Sequence, residues 1–165
     1  MDLDRALSIS AAGMAAQSAR LRVAAENIAN RDSTGQSPGA EPYRRKTITF
    51  DNRLDRAVGA RMVQVARVTE APGDFPEEYN PGHPAADARG YVRRPNVDSL
   101  IESMDMREAQ RSYSANLAVL ETTRGMLSRA IEALRIAETD SQHSLAMSLH
   151  RKYLALFRTA LGRNS

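Results

Sequence analysis

The sequence predicts a mainly α protein. Long helices at its N- and C-terminal ends pair as an antiparallel coiled coil, a small β/extended Pro-rich segment lies between them, and an additional helix follows at the C-terminal end. Three observations predict this. Leu7, Met14, Leu21 and Ile28 recur every seventh residue with Ala11, Ser18 and Ala25 between them, so a helix there carries one narrow apolar seam. Met106, Tyr113, Leu120, Leu127 and Leu134 repeat the period near the other end, flanked by Leu117 and Ile131. All seven prolines fall between Gln36 and Asn96. The chain accordingly divides into 1–30, 31–96, 97–137 and 138–165.

Composition sets the limits. At 165 residues, 42% hydrophobic and 26% charged, the chain has the size and balance of one ordinary domain. Only 5% is aromatic, with no Trp, which favours thin helix-on-helix packing and an elongated molecule. The absence of Cys excludes disulfides, thiolate metal sites and a Cys nucleophile. No basic stretch followed by an apolar run opens the chain, and no window approaches the ~18–20 apolar residues of a spanning helix. A cleaved signal of the usual kind is therefore not expected. The net charge of +3 belongs to the tail: from Ser141 onward stand Arg151, Lys152, Arg158 and Arg163 with no acid, leaving 19 bases against 20 acids before them. A basic nucleic-acid-binding face does not describe the main body.

Taken in order, Asp2 is a candidate N-cap, and Ala and Leu then favour a helix of about 40 Å, with Gly13 its one weak point. Asn27 and Asn30 close it. A plain amphipathic core helix would also explain the stripe, but its length and regular spacing favour the coiled coil. Lys46–Phe50 alternates like a half-buried strand and Met62–Val68 repeats the pattern, which reads as a small sheet, with a hairpin joined by a long connection as one form of it. Phe75, Tyr79 and Tyr91, set among prolines and glycines, predict an ordered extended loop packed through its rings. His83 and Asp87 invite a metal or catalytic reading, but no third ligand or nucleophile accompanies them, and Pro84 opposes a shared helical face.

The second long helix starts at Asp98 or Ser99, where Ser99-Leu100-Ile101-Glu102 matches a capping box, and runs to about Ala137. Asn116, Thr123 and Arg124 lie on or beside its seam; they either fix register or face solvent at the stripe edge. Asp140-Ser141 offers a break. After it Leu145, Leu149, Tyr153, Leu156, Phe157 and Leu161 share a face that ends at Gly162, with Arg151, Lys152 and Arg158 largely off it. Such a helix docks on a membrane or acidic partner, or packs on its own protein.

Several motifs together carry a family resemblance: Ala6 to Met14 (ALSISAAGM), Glu26-Asn27-Ile28-Ala29-Asn30, Pro42-Tyr43-Arg44-Arg45, Tyr79-Asn80-Pro81-Gly82-His83-Pro84, Ala86-Asp87-Ala88, Gly90-Tyr91-Val92, Pro95-Asn96-Val97-Asp98, and Ala109 through Leu117. In this order, over most of residues 1–137, the chain resembles the flagellar basal-body rod proteins. The resemblance implies a non-enzymatic subunit, without cofactor or metal, that polymerises helically into the rod, the torque-transmitting shaft between the membrane-embedded ring and the hook. Its terminal helices would line the export channel. Implied partners are further copies, the proximal- and distal-rod proteins and the rod-base adaptor, with the MS ring a further candidate; nucleic acid and small-molecule substrates are not implied. Localisation would be the basal body, reached through the flagellar type III apparatus. Members of the family end soon after the segment matching Leu127 to Ala137, so the tail has no assigned role. The competing reading is a soluble coiled-coil adaptor whose basic tail binds membrane or nucleic acid. Small seam residues supply little apolar area, so the isolated subunit is expected to be marginal, with assembly completing its folding.

Overall fold

The computed structural model describes residues 3–160, and side chains through Lys152. The Asp2 cap, the stop at Gly162, and the side chains of Tyr153, Leu156, Phe157, Arg158, Leu161 and Arg163 lie outside the described residues. The element order is α1 (Leu3–Ala29), β1 (Lys46–Asp55), β2 (Ala60–Glu70), β3 (Glu77–Tyr79), β4 (Tyr91–Arg93) and α2 (Ser99–Ala160). The architecture is mainly helical with a small antiparallel middle. Two compact units divide the chain, Met1–Glu121 and Thr122–Ser165, with the boundary inside α2.

In the first unit the chain numbers of α2 fall as those of α1 rise. Asn27 bonds Glu102, Arg20 bonds Asp105, and the Asn116 side chain lies over Gly13. None of these residues belongs to the apolar series read from the sequence. Gly13, Arg20 and Asn27 of α1 meet Asn116, Asp105 and Glu102 of α2, and Ser10, Ala16, Ala24 and Ala109 are also buried. Leu7, Met14, Leu21 and Ile28 are only half-buried. Gly13, Arg20 and Asn27, which touch α2, are seven apart, as are Glu102, Ala109 and Asn116 on α2. Apart from Gly13, the residues that meet between the helices are polar, and their hydrogen bonds satisfy one another there. Gly13 is thus a point of contact: a Cβ there would come within 2.9 Å of the Asn116 amide.

β1 and β2 form an antiparallel hairpin with a bulge between Thr49 and Phe50. Both strands are longer than the sequence pattern suggested, and only residues 56–59 join them, so the expected long connection is replaced by a tight turn. Asp55 Oδ1 accepts the Ala57 and Val58 N–H groups, and Gly59 takes φ +67°, which suits a residue without Cβ. A lone two-stranded ribbon is marginal in water. This one leans on α1, and Arg5 Nε donates to Val58 O at 3.1 Å. Leu54, Val65 and Val68 remain exposed.

The segment read as an extended loop contains a second small sheet, β3 antiparallel to β4, with the Tyr79 and Tyr91 rings edge-to-face at 5.3 Å. Arg44 stacks on Phe75 at 4.2 Å.

α2 starts at Ser99 with Asp98 as its cap, whose Oδ1 accepts the Leu100 N–H at 2.8 Å. The capping box is not made, because the Glu102 carboxylate is drawn to Asn27 and Arg45 instead. The helix then runs without interruption through Asp140 and Ser141 to Ala160, so the separate C-terminal helix is corrected to a continuation of α2. No Pro or Gly occurs between Gly125 and Ala160, and Asp and Ser each cost a helix less than about 0.7 kcal/mol relative to Ala, too little to break it. Thr139 even bonds back to Arg135 O within the helix.

Candidate functional site

The most connected point of the first unit is Asn27, whose side chain uses its full bonding capacity. Nδ2 donates to Lys46 O at 2.9 Å and Glu102 Oε2 at 3.0 Å; Oδ1 accepts from Lys46 N at 2.8 Å and the Tyr43 hydroxyl at 2.9 Å. Helix periodicity carries Asn27 to the end of the seam, and Pro42-Tyr43-Arg44-Arg45 brings the chain back past it before β1 begins. Glu102, 1% exposed, answers from α2 and accepts Arg45 Nε at 2.5 Å. Arg45 also reaches Asp105, which pairs with Arg20 at 2.9 Å, while the Arg45 N–H donates to Asn96 Oδ1. One cluster thereby ties α1, α2, the approach to β1 and the segment before α2. A buried ion pair of this kind serves geometry more than net stability, but removing one partner is costly.

Electrostatics follow from this packing. Burial raises the Tyr43 phenol above its ordinary range, and the neighbouring Glu26 carboxylate adds to the rise. The hydrogen bond from Lys46 to Glu26 raises the Lys46 ammonium.

A second cluster organises residues 79–91. His83 Nδ1 accepts the Ala85 N–H at 3.1 Å, so a neutral ring donates from Nε2 to Thr34 Oγ1, 3.2 Å away. Asp87 accepts the Tyr91 and Arg89 N–H groups at 2.9 Å each, and the Tyr91 bond, followed by Arg89, holds its carboxyl below the ordinary value. His83 and Asp87 are therefore engaged apart, each holding its own turn. Among the described residues no group of three His, Asp or Glu is placed to hold a metal ion. Gly90 takes φ +85°, and a Cβ there would meet the Tyr79 ring at 2.9 Å and Pro81 at 3.2 Å. Asn80 N donates to Gly90 O, Pro95 is buried, and Pro81, Gly82 and Pro84 are exposed. Asn30 closes α1, its Nδ2 donating to Glu26 O and its Oδ1 accepting from Ser33.

The sequence-derived interface positions are distributed differently. Met106, Tyr113, Leu120 and Leu127 are half-buried, whereas Ala11, Ser18, Ala25, Leu117, Ile131 and Leu134 are exposed. Of the polar residues beside that stripe, Asn116 meets Gly13, Thr123 is buried and Arg124 is exposed. Sequence reasoning missed Arg20, Arg45, Glu102 and Asp105 as a group. Only Arg20 and Glu102 share a helical period with Asn27 and Asn116; Arg45 and Asp105 carry no such signal.

In both clusters the polar groups are engaged in holding segments and turns of the chain in place. Comparison with known proteins carries this further. Residues 88–133 match the family model described as flagellar basal body rod FlgEFG protein C-terminal. The flagellar basal-body rod protein FlgC of Agrobacterium fabrum is 50% identical over 136 residues, covering 82% of this chain and 98% of that protein. FlgC of Salmonella typhimurium is 42% identical, covering 79% and 97%, and FlgC of Bacillus subtilis is 36% identical, covering 76% and 94%. The chain belongs to the FlgC family of flagellar basal-body rod proteins. It is a structural rod subunit of the flagellar basal body, in a family of structural proteins rather than enzymes, and it associates with other basal-body components. The adaptor reading finds no support in these relatives.

Proposed function

We propose that the chain polymerises helically, with itself and with the proximal- and distal-rod proteins and the rod-base adaptor, into the torque-transmitting shaft. In this reading 1–30 and 97–137 act as an antiparallel coiled coil that contacts neighbouring subunits and lines the export channel. Residues 31–96 form an insertion laid against neighbours, 138–165 form a tail with its own contacts, and delivery uses the flagellar type III apparatus. The supporting observation is the apolar stripe left beside the polar seam. Leu7, Met14, Leu21, Ile28, Met106, Tyr113 and Leu120 are half-buried within the subunit, and Leu117 is exposed. Side chains of this kind at seven-residue spacing gain further burial when a neighbouring helix covers them, at roughly 25 cal/mol per Å².

Leu21→Asp or Leu120→Asp should abolish rod assembly and swimming while circular dichroism of the purified subunit stays helical. Normal basal bodies built from either variant would refute the interface. The adaptor reading predicts instead that loss of residues 141–165 is the decisive lesion.

A further inference from the structure

His83 stands in the turn that follows β3, and its ring is held at both nitrogens. Nδ1 accepts the N–H of Ala85, two residues on, at 3.1 Å, and Nε2 lies 3.2 Å from Thr34 Oγ1, beyond the end of α1. The backbone closes the same turn, with His83 N donating to Asn80 O and Ala86 N to His83 O. Ala85 is buried.

A ring nitrogen accepts a hydrogen bond only while it carries no proton. Imidazole ordinarily gains its proton between about pH 5 and 8, and the imidazolium is a donor at both nitrogens. Protonation therefore sets an Nδ1–H against the Ala85 N–H and leaves a buried backbone donor without its partner. The surroundings supply an alternative for the ring. His83 lines an open cavity of about 200 Å³ together with Asp32, beyond α1, Glu78 of β3, and Arg94, which follows β4. Among the described residues these are the charged groups of the lining, two carboxylates and one guanidinium. Arg94 pairs with both acids, at 2.6 Å for Glu78, and Asp32 also pairs with Arg31. Asp87, on the same loop as His83, is turned to Arg89 and Tyr91. An imidazolium turned into the cavity balances the charge of its lining and finds carboxylate acceptors there.

We propose that His83 is a pH-sensitive latch: the neutral ring closes the 83–86 turn and ties it to Thr34, whereas the protonated ring leaves Ala85 for the carboxylates of Asp32 and Glu78 and releases the turn. The structure shows the closed state. The latch is internal to one chain and does not depend on how subunits pack.

Hydrogen exchange of the full chain, read by mass spectrometry over residues 83–87 and corrected for the intrinsic rate at each pH, tests the latch. Protection should fall by about tenfold between about pH 7.5 and 5.5, as one buried hydrogen bond is lost. His83→Asn keeps a side-chain acceptor for the N–H two residues on but has no proton to gain, so its protection should be equal at both pH values. Asp87→Asn should retain the step. Equal protection of the wild-type chain at both pH values would overturn the proposal, as would a step that survives in His83→Asn or disappears in Asp87→Asn. Should His83→Asn lose the turn outright, the wild-type ring decides: its carbon resonances must titrate together with the loss of protection, and a ring that stays neutral while protection falls also overturns the latch.

Discussion

Glu102 and Glu132 lie on the same helix, and each pairs with an arginine, at 2.5 Å and 2.8 Å, yet they belong to different kinds of structure. The Glu102 side chain is 2% exposed, and its second oxygen accepts from Asn27. Glu132 is 54% exposed, and its Arg135 is 74% exposed and only three residues away. The first pair binds elements distant in sequence to one another. The second decorates one turn of a solvated helix. A count of ion pairs would rate them equal, whereas desolvation separates them.

The largest expected effect breaks that comparison directly. Glu102→Ala leaves Arg45 and Asn27 without their partner in the interior and should cost about 3–5 kcal/mol, read as a lower urea midpoint for the first unit. Glu132→Ala, with the same atoms removed, should stay within about 0.5 kcal/mol. Two glycines sharpen the contrast at smaller scale. Gly125→Ala meets nothing within 4 Å and should stabilise by about 1 kcal/mol through helix propensity. Gly13→Ala carries the same propensity gain but drives a methyl into Asn116, whose amide is tied to Ser112 O. Overpacking of about 1–3 kcal/mol should turn its net effect to a loss in thermal melts.

The smallest effect concerns acid. Tyr91 and Arg89 hold the Asp87 carboxyl below its ordinary value of 3.8, so its ionised form favours the folded turn. That contribution is present above the unfolded value and is lost as pH falls through the lower folded one. Acidification below about pH 4 should therefore loosen the 87–91 turn, seen in the Tyr91 ring resonances. Asp87→Asn should show no such step.

Periodicity and Pro placement made the helical ends and the hairpin strands legible, since each depends on neighbours along the chain. The motif residues were legible too, but what they hold was not. Asn27 looked like a helix terminator and is the hub of the buried cluster, and Gly13 looked like a flaw and is where the helices touch. The YNPGHP stretch looked like a rigid loop, and its His83 closes onto Thr34 from a distant part of the chain.

By itself the sequence determined the family and the helical character of both ends, because helix preference and a run of motifs survive any choice of partner. Tertiary structure alone decided which residues of the two helices meet, and that α2 continues through Asp140. The first choice turns on how closely two backbones can approach and on whether a buried carboxylate finds its donors. The second turns on the summed helix preference around a locally ambiguous pair of residues. Neither quantity can be read from one position at a time.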